Sequence, residues 1–217
     1  VTHNSFWEKE IGFTVFDVSF KAGSTSLFGY LPHMKEWVSN YIDAEKRALD
    51  SIPVDAVVRA IETVKGALKD DRQIFVFGNG GSAAIASHFS VDLTKNAGLR
   101  CVNFNEADLI TCFSNDYGYE HWVEKAVDFY GDEGDLLVGI SSSGSSENIL
   151  NGVRAARKGN FRAVVTLSGF APDNPLRQMG DINLWIDSKA YNFVENIHQV
   201  WLLAMVDLII GSREYSA

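Results

Sequence analysis

Two carboxylate and imidazole pairs stand at helical spacing in this chain. His88 and Asp92 are four residues apart in "SHFSVDL", and Glu195 and His198 are three apart in "FVENIHQVW", so each pair shares one side of a helix. Such pairs can take a proton from carbon and return it to a neighbouring atom, the work of general acid–base catalysis. Brought face to face, the four side chains could also hold a divalent ion such as zinc. The plainer reading is open as well: His198 precedes Val200, Trp201 and Leu202 and could be a hydrogen-bonded histidine at a helix-packing surface, and His88 beside Phe89 is similar.

Two other stretches offer hydrogen-bond donors. "IFVFGNGGSAAIASHF" places Asn79, Gly80 and Ser82 in a turn between an apolar run and a small-residue helix. Glycines there let a ligand approach main-chain N–H groups, and the start of the helix favours an anion. The turn has neither the lysine of a P-loop nor the GxGxxG spacing, so no nucleotide cofactor is expected. A tight crossover alone would also explain its glycines. "GISSSGSSENIL" repeats the arrangement with Ser141, Ser142, Ser143 and Ser146 ahead of a second helix. Several neutral donors around one point suit a phosphate group, and a Ser-rich linker would not be framed by "DLLVGI" and an apolar helix.

The elements that must position these residues follow from the pattern of apolar runs. "QIFVFG" (73–78), "LRCVNFN" (99–105), "DLLVGISS" (135–142), "RAVVTLSG" (162–169) and "INLWIDS" (182–188) are short buried strands separated by helix-compatible segments. The expected fold is α/β: a three-layer α/β/α sandwich around a five-stranded parallel sheet, preceded by N-terminal helices. Ligands then belong at the carboxyl ends of the strands, where the strand order reverses. From Met34 two antiparallel helices are expected, the second opening at "SIPVD" with Ser51 as cap. Residues 1–33, rich in aromatics without periodicity, form an irregular extension, and 34–217 a single domain. Asn115 and Asp116 read as a helix stop.

Composition narrows the classes. With 217 residues and a formal charge of −9, the chain lacks the basic stripe of a nucleic-acid binder. It contains no run of eighteen apolar residues and its start resembles no secretory signal, so a cytoplasmic protein away from membranes is expected. Cys101 and Cys112 lie in apolar runs and read as buried free thiols. The last helix, with Val194, Ile197, Trp201, Leu202, Met205, Leu208 and Ile209, has more apolar perimeter than one sheet face needs, which points to a partner subunit.

"FGNGGSAAIASHF", "SNDYGYE" (114–120) and "GDLLVGISSSGSSENIL", in this order and spacing, resemble the sugar isomerase (SIS) domain family, and within it the phosphoheptose isomerase group. The likeness runs from about Met34 to Gly211. It implies a flavodoxin-like sheet, a phosphosugar gripped by Ser141, Ser142, Ser143 and Ser146 with Asn79, Gly80 and Ser82 close by, and homotetramers with sites at the interfaces. The family's glutamate base matches Asp92, its last-helix glutamine matches Glu195, its histidine acid falls on Leu203, a basic residue matches Asn96, and an aspartate after the second strand matches Glu106. The expected activity is aldose–ketose isomerisation, most plausibly of sedoheptulose 7-phosphate, with Asp92, Glu195 and His198 moving protons. A non-catalytic phosphosugar-binding or protein-docking module, and an assembly component built on the aromatic N-terminus, are the alternatives.

Overall fold

The computed structural model describes residues 27–214. The chain divides into two units between Ile42 and Asp43. Of the first, the described part is the opening of α1 (Leu27–Asp50), along which Trp37 and Tyr41 stack with ring centroids 5.4 Å apart. The helix begins ahead of Met34, so residues 27–33 are helical, while the rest of the expected extension lies outside the described residues.

The second unit carries the sheet. After α2 (Val54–Lys69) come β1 (Ile74–Phe77), α3 (Gly81–Lys95), β2 (Cys101–Val102), α4 (Ala107–Tyr117), α5 (Trp122–Tyr130), β3 (Leu136–Ser141), α6 (Glu147–Lys158), β4 (Ala163–Ser168), α7 (Pro175–Met179), β5 (Ile182–Trp185) and α8 (Tyr191–Ile210). The sheet order is β2-β1-β3-β4-β5, with all pairings parallel. Because the order turns back between β1 and β3, the loops leaving these two neighbours flank the switch point. Phe77 is level with Gly139 in their register.

Side chains along each strand alternate between two cores, as the pleat requires. Ile74 and Val76 join α2, α3 and α8 on one face, where Phe89, Trp201 and Met205 are buried. Phe75 and Phe77 join α5, α6 and α7 on the other, with Trp122, Val153 and Leu176. The expected three-layer sandwich is the observed one. α8 is long and apolar enough by composition to cross a bilayer, but seven of its residues are spent on the core.

Several local expectations need correction. β2 is two residues long rather than seven, because Asn103 and Asn105 leave the ladder to bond Ser90 Oγ and Ser87 Oγ on α3. Ser51 does not cap α2; its hydroxyl donates back to the Ala48 carbonyl. Asn115 and Asp116 continue α4, which stops at Gly118 with φ 91°. Cys101 is buried, and burial pushes its thiol pKa up, but Cys112 is exposed. The partly buried Leu109, Ile110 and Phe113 define the inner face of α4 and leave residue 112 off it.

Candidate functional site

At the carboxyl end of the sheet a pocket of about 110 Å³ is lined by Asn79 and Ser82 from the turn after β1, by Ser141, Ser142, Ser143 and Ser146 from the loop after β3, and by Tyr191 and Glu195 from α8. A wider groove of about 500 Å³, with Arg59, Glu62 and Arg162, opens instead at the amino ends of β4 and β5. Only the first collects the donors singled out by the sequence. Gly80, with φ 55°, forms the N-cap position of α3 beside it, and Glu106 is exposed at the N-cap of α4 without lining it.

The serine loop is arranged to leave donors free. Ser146 occupies the N-cap of α6, the position where a serine hydroxyl ordinarily satisfies the helix's first amides. Here it makes no such bond; its Oγ lies 2.9 Å from Ser141 Oγ instead. Ile149 N is held by the Ser146 carbonyl at 3.0 Å, which leaves the amides of Glu147 and Asn148 for a ligand at the positive end of the helix dipole, a site for an anion. Ser142 Oγ is buried and has no hydrogen-bond partner among the described residues, so it is available to a ligand oxygen.

The loop is braced from β4. Gly144 has φ 69°, and a Cβ there would overlap the Asn174 amide. Asn174 Nδ2 donates to Ser168 Oγ and the carbonyls of Gly169 and Ala171, while its Oδ1 accepts from Arg177 N. Gly169 N donates to the Ser142 carbonyl at 2.9 Å. Gly81 answers a different demand from the one its sequence context suggested: its missing Cβ makes room for the Glu195 carboxylate, which would overlap any side chain there. Glu195 therefore rests against the first turn of α3, where the helix dipole favours a negative charge.

The two carboxylate and imidazole pairs do not meet within one chain. His88 Nε2 lies 3.3 Å from Asp92 Oδ2, Gln199 Nε2 donates to His88 Nδ1 at 2.8 Å, and Asn96 Nδ2 reaches Asp92 Oδ1 at 3.3 Å. Gln199 is one turn from Glu195 on α8, but Asp92 lies farther off, eleven residues beyond Gly81 on α3, about 16 Å at 1.5 Å per residue. His198 is also removed from the pocket. It is fully buried beside Trp201, its Nε2 donating to the Ser168 carbonyl at 3.3 Å and its Nδ1 without a partner among the described residues. Burial holds its pKa down to about 4, against the lift from that backbone bond. Positions three apart on a helix differ by 60°, enough for Glu195 to reach the pocket while His198 turns into the core. Among the described residues no group of three or more His, Cys, Asp or Glu side chains is placed to hold a metal ion, so His88, Asp92, Glu195 and His198 do not form the expected ligand set in a single chain.

Sequence reasoning missed Tyr191, whose exposed ring lines the pocket and packs edge-on against Phe170 at 4.9 Å. It also missed Asn148 and Tyr119, both bonded to Asn79. The available signals were an Asn two residues past a serine-rich turn and the place of Tyr119 in "SNDYGYE".

The SIS domain family model matches residues 40–169. The chain belongs to the SIS domain family. Among its relatives, the SIS chain is 31% identical over 192 residues to phosphoheptose isomerase of Cytophaga hutchinsonii, covering 86% of this chain and 95% of the relative. It is 31% identical over 165 residues to that of Serratia proteamaculans, covering 74% and 83%. Of solved structures, phosphoheptose isomerase from Neisseria gonorrhoeae superposes with a TM-score of 0.75 at 32% identity, over 81% of this SIS chain and 98% of that one. The Francisella tularensis enzyme gives 0.73 at 26%, over 83% and 97%.

Proposed function

We propose that this SIS protein is a sugar-phosphate aldose–ketose isomerase that converts sedoheptulose 7-phosphate to a heptose 7-phosphate. The observation that carries the reading is the serine loop: an uncapped helix start and an unpartnered buried hydroxyl, in one pocket with the Glu195 carboxylate. The isomerase names of the relatives support it and do not favour the non-catalytic alternative.

Isomerisation removes a proton from C1 of the ketose, passes through an enediolate, and returns a proton to C2 while a second proton moves from O1 to O2. Nothing is oxidised or reduced overall. The protein supplies a carboxylate base, donors that steady the enediolate oxygens, and a grip on the phosphate that fixes the far end of the carbon chain. Glu195 is the proton-transfer group that lines the pocket. Asp92, with His88 and Gln199, belongs to a second copy's contribution in this proposal. The exposed Val91, Val200 and Leu208 on α3 and α8 supply an apolar face on which that copy would pack into a homotetramer. No step is routed through zinc or another divalent ion, for which one chain lacks a complete ligand set.

The test is conversion of sedoheptulose 7-phosphate followed by aldose formation. The wild-type protein is expected to turn over. Ser146→Ala and Ser142→Ala are each expected to raise KM about tenfold, the loss of one hydrogen bond to a charged group, with little loss of stability because neither hydroxyl caps a helix. Binding without any aldose would overturn the isomerase assignment, and no binding would overturn the site.

A further inference from the structure

Asn79 enters the pocket with its amide already held on two sides. Its Nδ2 donates to Asn148 Oδ1 at 2.9 Å, Asn148 Nδ2 donates back to Asn79 Oδ1 at 2.8 Å, and the Tyr119 hydroxyl donates to the same Oδ1 at 2.9 Å. A carboxamide oxygen can accept two hydrogen bonds and its nitrogen can donate two. Both acceptor positions of Asn79 are therefore filled and one of its donors is used. A single N–H remains, with no partner among the described residues, on a side chain that lines the serine pocket.

The holders are themselves fixed. Asn148 is 3% exposed in the first turn of α6, two residues past Ser146, so the helix start that presents the phosphate donors also presents this amide. Tyr119 opens the 3-10 turn Tyr119–His121, which is tied to α6 by Asn151 Nδ2 donating to the Glu120 carbonyl at 2.9 Å. An unrestrained asparagine could flip its amide and offer a ligand either a donor or an acceptor. This one cannot flip alone without setting its NH2 against the Asn148 NH2 and its oxygen against Asn148 Oδ1, and a flip would also turn the Tyr119 hydroxyl from donor to acceptor.

We infer that Asn148 and Tyr119 are positioning residues that lock Asn79 as a one-way donor, so that the pocket receives an accepting ligand oxygen, such as that of a phosphate ester or an enediolate, at this point. The inference rests on the phosphosugar reading of the pocket and adds to it the polarity of one contact and the two side chains that set it.

The experiment is a mutant cycle with sedoheptulose 7-phosphate as the probe, read by calorimetric affinity and by kcat and KM. Asn79→Ala is expected to weaken binding about tenfold, and Tyr119→Phe and Asn148→Ala about threefold to tenfold each, in keeping with loss or loosening of one hydrogen bond. In the Asn79→Ala background neither second substitution should weaken binding further, because both act through that amide. Tyr119 is 54% exposed, so its loss of a hydroxyl leaves the fold intact and keeps the test alive if Asn148→Ala does not fold. Wild-type affinity and kinetics in Tyr119→Phe would overturn the lock, as would effects of equal size with and without Asn79. If Asn79→Ala itself binds as wild type, the serine-pocket reading fails and the lock fails with it; if Asn79→Ala is impaired and Tyr119→Phe is silent, the lock alone fails.

Discussion

His198 shows how a side chain can be conspicuous in a sequence and still not line the pocket. Its one ring nitrogen ties α8 to the end of β4, and the other has no partner among the described residues. With its pKa held near 4 by burial, the folded chain resists a proton that the unfolded chain accepts below about pH 6.5. Its contribution is therefore fully present above that pH and is lost as the pH falls toward 4, by about 3 kcal/mol at the lower end. Thermal unfolding of His198→Gln, which keeps a donor for the Ser168 carbonyl, is expected to fall less steeply than the wild type between pH 6.5 and 4. Equal slopes would show that this imidazole is not the titrating group. Spacing placed Glu195 and His198 on one helix side, and only packing could say that a 60° difference separates pocket from core.

The elements that build the site were legible because backbone demands write themselves into residue types. The serine run and the glycine turn stand where parallel strands give way to helices, and β-branched and aromatic runs mark four strands, β3 and β4 keeping six residues of eight and β1 and β5 only four of six and of seven. What stayed hidden were polar partners from distant segments: Asn79 with Asn148, Gly81 with Glu195, and Gly144 with Asn174. No local period encodes such pairs. The last of them predicts an outcome at this scale. Gly144→Ala must adopt a left-handed backbone and displace a buried amide, at a cost of about 2–4 kcal/mol. Chemical denaturation should show the loss, and a raised KM for the phosphosugar should accompany it as the serine loop shifts; an unchanged KM would mean that the brace does not govern the loop.

For the molecule as a whole, the separation of Asp92 from Glu195 along α3 sets the clearest expectation. If a second copy completes each site, two inactive proteins, one carrying Ser146→Ala with Glu195→Gln and the other Asp92→Asn, should regain turnover when unfolded and refolded together, since some mixed sites then hold no substitution. Mixtures no more active than their components would confine the chemistry to one chain. Of the apolar perimeter expected to meet a partner, Val194, Ile197, Trp201, Leu202 and Met205 are buried in the chain's own core and only Leu208 is exposed, while Val91 and Val200 went unnoticed; nor can a sequence say which copy's carboxylate faces which copy's serines. The charge of the pocket, one carboxylate among hydroxyls and amides, bears on encounter. An acidic chain repels its anionic ester at long range, and with no lysine or arginine among the described residues that line the pocket those residues build no electrostatic funnel to offset that repulsion. Capture thus begins only at touching distance, and dissolved counter-ions, which blunt attraction in most anion-binding proteins, here ease the approach.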